Sequence, residues 1–376
     1  MTDGGHPSDR AGVVETVDAT AYTIPTDHPE ADGTIAWTTT TIIVVQCRSG
    51  DQVGTGWTYG SAAIAPLVEE TLAPVVVGHG VLETGTAWQR MARALRNVGR
   101  PGVGGMALSA VDNALWDLKA RALGLPLHRL LGSGIRAVPV YGSGGFTTYD
   151  ADRLHDQLRG WVDQGVAAVK IKIGESWGTK EERDLARVRE ALDTIGPGVE
   201  LFVDANGGYP IGQAVRVGHA LDDLGVRWFE EPVSSDDLTG LRDVRQATRL
   251  DVAAGEYIAT LDDARRMCEA GAVDCLQVDV TRCGGTTELL RIAAVAAAHH
   301  LEVSGHCAPY QHAPAMAAVP NLRHLEYFHD HSRIERAVFH GADEVVDGHL
   351  RLSERPGNGL TFDPRRAAEL AVPQPA

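Results

Sequence analysis

Cysteine is scarce in this chain. Five occur among 376 residues (Cys47, Cys268, Cys275, Cys283 and Cys307), and no two form a C-x-x-C pair. An odd, scattered set in a long chain argues against a disulfide framework and for free thiols in a reducing compartment. Basic charge is also short: 34 Lys and Arg stand against 50 Asp and Glu, a net charge of −16. That excludes nucleic acid and anionic membrane surfaces as expected partners, because both demand clustered cations. It does not exclude a small anionic substrate, which responds to local charge. Long apolar runs are missing as well. The longest, "IAAVAAAHHLEV", is broken by His299 and His300 and is too short to span a bilayer. The opening "MTDGGHPSDR" has no apolar stretch of the kind a secretory signal needs. The expectation is a cytoplasmic protein whose residues 1–12 form a loose tail. What remains, 44% hydrophobic and 22% charged, is ordinary globular composition.

Two textures divide the chain. Up to about residue 60, the segments "VVETVDATAYTI", "WTTTTIIVVQC" and "QVGTGWTY" are rich in Thr, Val and Ile and predict an antiparallel meander. The stretch "ALSAVDNALWDLKARALG" then repeats apolar residues at helical spacing. Ser109 is placed to cap its start, and Gly124 with Pro126 to close it. Beyond residue 130, eight short apolar runs alternate with amphipathic segments: "AVPVYG", "AAVKIKIG", "VELFVDANG", "VRWFEEP", "DVAAGE", "DCLQVDV", "LEVSGH" and "LRHLEYF". Repeated strand–helix units imply a parallel sheet, and eight of them a closed barrel. An open doubly wound sheet is the rival, but no glycine-rich dinucleotide loop follows the first run.

In such a barrel, chemistry gathers at the C-terminal ends of the strands. Those ends carry Lys170 and Lys172, Asp204, Glu230, Glu256, Asp279, His306 and Glu326. Asp204, Glu230 and Glu256 follow one another at intervals of 26 residues, which sets them on three adjacent strands at about one height. Three converging carboxylates repel unless a cation sits among them, and an all-oxygen set suits Mg²⁺. In "AVKIKIG", Lys170 and Lys172 share one strand face opposite Val169, Ile171 and Ile173. Lysines facing a barrel mouth need anionic company. A dication and a second ammonium nearby are expected to push a lysine pKa down and make a basic amine accessible.

The ordered set K-x-K, "VDANG", "EEP", "AAGE", "DVTRCGG", the His of "SGHCAP" and the Glu of "HLEYF" resembles the enolase superfamily, in particular its mandelate racemase-like subgroup. The resemblance runs over about residues 13–370, and the motifs are specific jointly rather than singly. It implies a (β/α)7β modified TIM barrel (131–340) under an α+β capping domain built from residues 1–130 and completed by the C-terminal segment 341–376. It also implies Mg²⁺ held by Asp204, Glu230 and Glu256, and a substrate carboxylate whose α-proton leaves to give an enediolate. Lys172 and His306 become the acid/base groups of the two faces. Lys170 and Glu326 attend the substrate carboxylate, and Asp279 orients His306. Asn206, Glu231 and Arg282 support the metal and base residues. Relatives are commonly homo-oligomers.

The barrel residues serve dehydration and racemisation alike, so the choice falls to the cap. The segments "TIPTDHPEADG" and "GTGWTYG" supply Asp27, His28, Trp57 and Tyr59 as expected substrate contacts. Their polar and aromatic character favours an acid sugar, an aldonate or aldarate, and hence a dehydratase (a lyase). Racemisation or epimerisation of a 2-hydroxy acid and cycloisomerisation, both isomerase reactions, are the alternatives. A catalytically silent carboxylate-binding protein is the alternative of another class, since fold alone does not establish activity.

Overall fold

The computed structural model describes residues 12–372. The expected loose tail therefore lies, apart from Gly12, outside the described residues. Strands β1 (Thr16–Ala31), β2 (Ala36–Ser49) and β3 (Gln52–Tyr59) form an antiparallel sheet in that order. One face packs on helix α1 (Val103–Ala122), which buries Ala107, Val111, Ala114, Leu115 and Leu118. The approach is close enough to require glycine. A Cβ on Gly54 would stand 2.2 Å from Ala114 O, and one on Gly56 2.3 Å from Ala110 O. Ser109 does not cap α1. It lies inside the helix, donates to Gly105 O at 2.6 Å and accepts from Gly284 N at 2.9 Å, tying the cap to the barrel.

All eight apolar runs are strands of one barrel. They are β4 (Ala137–Gly144), β5 (Ala168–Lys172), β6 (Glu200–Asp204), β7 (Trp228–Glu230), β8 (Asp251–Ala254), β9 (Cys275–Val278), β10 (Glu302–Gly305) and β11 (Leu322–Phe328). Neighbours are parallel, and β11 pairs with β4 to close the ring. Seven helices make the crossovers: α2 (Ala151–Asp163), α3 (Glu181–Ile195), α4 (Ile211–Leu224), α5 (Leu238–Ala247), α6 (Leu261–Ala270), α7 (Gly285–Ala298) and α8 (Pro309–Met316). An eighth, α9 (His329–Val338), follows β11. Side-chain oxygens cap several starts: Asp150 accepts from Arg153 N, Asp237 from Gly240 N and Thr260 from Asp263 N.

The two-residue period of a strand explains the barrel's interior. Outward-facing Val169, Ile171, Val203, Phe229 and Val252 join the main apolar core, which includes residues of the surrounding helices. Inward, Tyr141, Ala168, Phe202, Trp228, Ala253 and Cys275 form a separate cluster. One step further along the same faces come Ser143, Lys170, Asp204, Glu230 and Gln277, all 0% exposed. The aromatic plug thus closes the bottom and the charged layer lies above it.

The chain from 341 onward touches both units. β12 (His349–Arg351) pairs antiparallel with β4 of the barrel. Asn358 N donates to Asp117 Oδ1 of α1 at 2.6 Å, and Val372 N to Thr23 O of β1 at 2.8 Å. All five cysteines are buried and unpaired. Among the described residues, no helix is long and apolar enough to cross a membrane.

Candidate active site

Ladder register sets the heights: Lys172 pairs with Asp204, and Asp204 with Glu230. Carboxylate oxygens of Asp204, Glu230 and Glu256 lie within 4.8 Å of one another, and all three residues are buried. Glu256 Oε2 accepts no hydrogen bond although His306 Nε2 stands 3.3 Å away. Three convergent carboxylate oxygens, one of them unsatisfied in a buried position, match what a hard divalent cation takes from a protein. The backbone at the ligands is strained. Asn206 (φ 46°) and Glu231 (φ 35°) are left-handed without being glycine, as are Cys307 (φ 50°) and Ala308 (φ 36°) beside His306.

Lys170 and Lys172 both enter the barrel, but to different depths. Lys172 binds Asp204 and lines a cavity at the mouth. Lys170 is 0% exposed, with Nζ 2.5 Å from Glu230 Oε1 and 2.8 Å from Glu326 Oε1. Glu326 is also enclosed: Ser143 Oγ donates to it at 2.6 Å and Cys307 N at 2.9 Å. Direct contact of Lys170 and Glu326 with a substrate carboxylate was the expectation. Both are buried, and their polar atoms meet each other, Glu230, Ser143 and Cys307 N.

His306 Nδ1 donates to Asp279 Oδ2 at 2.8 Å, which leaves Nε2 on the Glu256 side. Arg282 reaches Glu256 Oε1 at 3.1 Å and Asp279 Oδ2 at 3.4 Å, and joins the two. Asn206 N donates to Asp204 Oδ1 at 2.9 Å, while Asn206 Oδ1 and Glu231 Oε1 are buried without partners beside the ligands.

Burial and the neighbouring side chains set the charge balance among these groups. Burial, the largest single influence, would lower Lys172, as would Lys170, but the carboxylates of Asp204, Glu326 and Glu230 together hold it above the usual lysine range. Burial likewise opposes charge on Lys170, and Glu230, Glu326 and Asp204 overcome it. Among the protein's own side chains the carboxylates favour the charged form of both amines, whereas a dication held by Asp204 and Glu230 would oppose it. Burial, with Asp204 and Glu326, pushes Glu230 up to about 8 against the pull of Lys170. Burial would raise Glu256 too, yet His306 and Arg282 hold it well below the usual carboxylate range. Burial and three neighbouring carboxylates raise Glu231 well above its ordinary value.

The cavity at the barrel mouth measures about 390 Å³. Lys172, Glu256, Arg282 and His306 line its floor, and the cap covers it with Asp32, Trp37, Thr39, Thr40, Thr41 and Tyr59. Of the expected cap contacts, Tyr59 lines the cavity, with its ring stacked on His331 at 3.5 Å. Trp57 is a core residue, 0% exposed, and its indole N–H donates to Glu335 Oε1 at 2.8 Å. Asp27 and His28 are exposed on β1, outside the cavity. Asp27 pairs there with Arg153 at 2.7 Å and His329 at 3.0 Å. The reason is that β1 continues to Ala31 through a bulge between Pro25 and Glu30, so the tip over the barrel is Asp32–Ile35. Sequence reasoning missed Asp32 and Thr39–Thr41 for the same reason. It also missed Cys307, Phe328 and His331, which sit within five positions of His306 or Glu326.

A capped barrel with paired acid/base residues over an acidic triad defines a class of enzyme scaffold. Residues 14–132 match the mandelate racemase / muconate lactonizing enzyme N-terminal domain, and residues 153–367 the enolase C-terminal domain-like family. The chain belongs to the mandelate racemase/muconate lactonizing enzyme family of the enolase superfamily. It is 32% identical to a D-galactarolactone cycloisomerase of Agrobacterium fabrum over 89% of this chain and 92% of that protein. An L-talarate/galactarate dehydratase of Salmonella typhimurium is 31% identical over 85% of this chain and 80% of that protein. Among solved structures, a mandelate racemase/muconate lactonizing enzyme-like protein from Rubrobacter xylanophilus superposes with a TM-score of 0.92 at 48% identity, covering 96% of this chain and 100% of that one. A magnesium-bound racemase from Streptomyces coelicolor A3(2) gives 0.90 at 31% identity, with 96% and 100% covered.

Proposed function

We propose that the protein is a Mg²⁺-dependent enzyme that removes the α-proton of a carboxylate substrate, and that its reaction is dehydration of an acid sugar. The observation that carries this reading is one cavity lined by both Lys172 and His306 and floored by a metal-ligand carboxylate, Glu256. The two proton carriers stand on separate arcs of the ring, with β4 and β11 between them on one side and β6 to β9 on the other. Asp204, Glu230 and Glu256 would hold Mg²⁺, which when bound would supply positive charge to offset the negative charge that develops on the substrate as its α-proton leaves.

The chain's own groups do the rest. Lys172 and His306 exchange protons with the two faces of the α-carbon. In dehydration one of them takes the α-proton and the other gives a proton to the departing β-hydroxyl, so water leaves and an enol remains to become the keto acid. Asp279 fixes the His306 ring, and Arg282 holds Asp279 and Glu256 together. Lys170 balances Glu230 and Glu326 beneath. Similarity to the dehydratase supports loss of water, and similarity to the cycloisomerase supports isomerisation as the second outcome. A silent binding protein fits poorly with a complete set of ligands and bases.

The test is a panel of aldonates and aldarates with Mg²⁺ in heavy water, read by NMR. Loss of water selects dehydration, an inverted centre racemisation, and a ring rearrangement cycloisomerisation. Absence of α-proton exchange throughout rejects the enzyme reading. Five buried, unpaired thiols lead us to place the protein in the cytoplasm, and we propose a homo-oligomer, checked by light scattering.

A further inference from the structure

We propose that the substrate carries a single carboxylate, an aldonate-type polyhydroxy acid rather than a dicarboxylic aldarate, and that Asp32 enforces the choice. The inference rests on the proton-abstraction reading above. The two walls of the cavity differ in charge. Its cationic lining residues among those described, Lys172, Arg282 and His306, all belong to the barrel floor. Arg282 is already engaged by Glu256 at 3.1 Å and Asp279 at 3.4 Å and lies over the Tyr257 ring. The cap wall offers hydroxyls and one carboxylate, that of Asp32.

Asp32 is held so that half its carboxylate is spent and half is free. Oδ1 accepts from Thr34 N at 2.6 Å, Thr34 Oγ1 at 2.9 Å and Ile35 N at 2.8 Å, which folds the tip of the cap. Oδ2 has no protein partner among the described residues. The hydroxyls of Thr39 and Thr40 likewise lack protein partners among the described residues. A substrate hydroxyl at this wall finds an acceptor in Asp32 and donor–acceptors in the threonines. A second substrate carboxylate there loses water, gains no cation and faces a like charge. Discrimination then comes from a repulsive element set against the wrong partner. The first carboxylate escapes this penalty because it binds at the floor, where the cations are.

The experiment compares kcat/KM for an aldonate and the aldarate of matched configuration and length, with Mg²⁺, in the native protein and in Asp32→Asn. Asparagine keeps the Oδ1 acceptor of the turn and removes the charge. Asp32→Ser, which also retains an acceptor, is the second variant should the first fold poorly. Native protein is expected to prefer the aldonate by about tenfold or more, and Asp32→Asn to narrow that ratio severalfold. Calorimetric binding of the same pair to His306→Asn should show the same ordering without turnover. Equal or better use of the aldarate by native protein, or an unchanged ratio in both variants, overturns the inference and leaves the proposed chemistry standing. Absence of α-proton exchange with either acid overturns both.

Discussion

His306 donates from Nδ1 to Asp279 Oδ2 across 2.8 Å, and both side chains are buried. The bond fixes the ring and its tautomer, so that the other nitrogen, Nε2, stands 3.3 Å from Glu256 Oε2 at the cavity floor. Asp279→Asn keeps the size and loses the charge. We expect kcat to fall by about a hundredfold, within the usual range for general acid–base catalysis, with substrate Kd nearly unchanged. Stopped turnover with calorimetric Kd checks it, and a variant with native kcat removes the orienting role from Asp279.

Lys172→Ala and His306→Ala should each lower turnover by about 10²–10⁴-fold. Neither substitution removes a carboxylate of the triad, so both variants should still take up Mg²⁺. The measurement pairs steady-state rates with metal content. Near-native activity in either variant would show that the residue carries no proton.

Much of this site is legible in the sequence because the barrel is periodic. Strand alternation and the 26-residue interval place Lys172, Asp204 and Glu230 without any long-range information, and the ladder register repeats that placement. The cap was read less well. Trp57 and Tyr59 share a strand face by spacing, yet only Tyr59 reaches the cavity. The indole of Trp57 is drawn to Glu335, 278 residues away. Asp32 has no signature of its own. Its importance arises where the β1–β2 hairpin bends over the barrel, a contact between distant parts of the chain. The depth of Lys170 is likewise a matter of tertiary arrangement, because K-x-K looks symmetric until one amine is covered by Glu230 and Glu326.

Chelation should abolish turnover, and Mg²⁺ should restore it. A cation bound only by the folded state also raises thermal stability as its concentration exceeds Kd. Glu256→Ala should lose the Mg²⁺-dependent rise in Tm along with activity. Full activity after exhaustive chelation would remove the metal from the mechanism.

Trp57→Ala should destabilise the fold by about 3–5 kcal/mol, the usual cost of emptying a large aromatic site. The indole is 0% exposed and lies 4.3 Å from the Phe339 ring, between centroids. Trp57→Phe should lower Tm while leaving substrate KM within about twofold, because Trp57 does not line the cavity. A large change in KM with Tm unaltered would return Trp57 to the substrate contacts.

Asp112 gives the protein a pH-dependent stability separate from catalysis. It is fully buried in α1, where Oδ2 accepts from Thr287 N at 2.8 Å and Oδ1 from Thr287 Oγ1 at 2.7 Å. Burial raises its pKa from 3.8 to about 7, and the two Thr287 hydrogen bonds only partly oppose the rise. The folded state thus favours the protonated acid, whereas the unfolded chain ionises it near 3.8. Below that pH the group costs nothing. Between about pH 4 and 7 the unfolded state gains from ionisation that the folded state forgoes, and stability falls by at most about 4 kcal/mol. Asp112→Asn offers one amide oxygen to Thr287 N and donates its N–H to Thr287 Oγ1, which keeps the link without the charge. Urea unfolding across pH 4–8 should show the variant gaining on the native protein as pH rises, with the difference levelling off above about 7. A native-minus-variant difference that stays flat over this range would mean that Asp112 is ionised in the folded protein and that the helix tolerates a buried charge at this position.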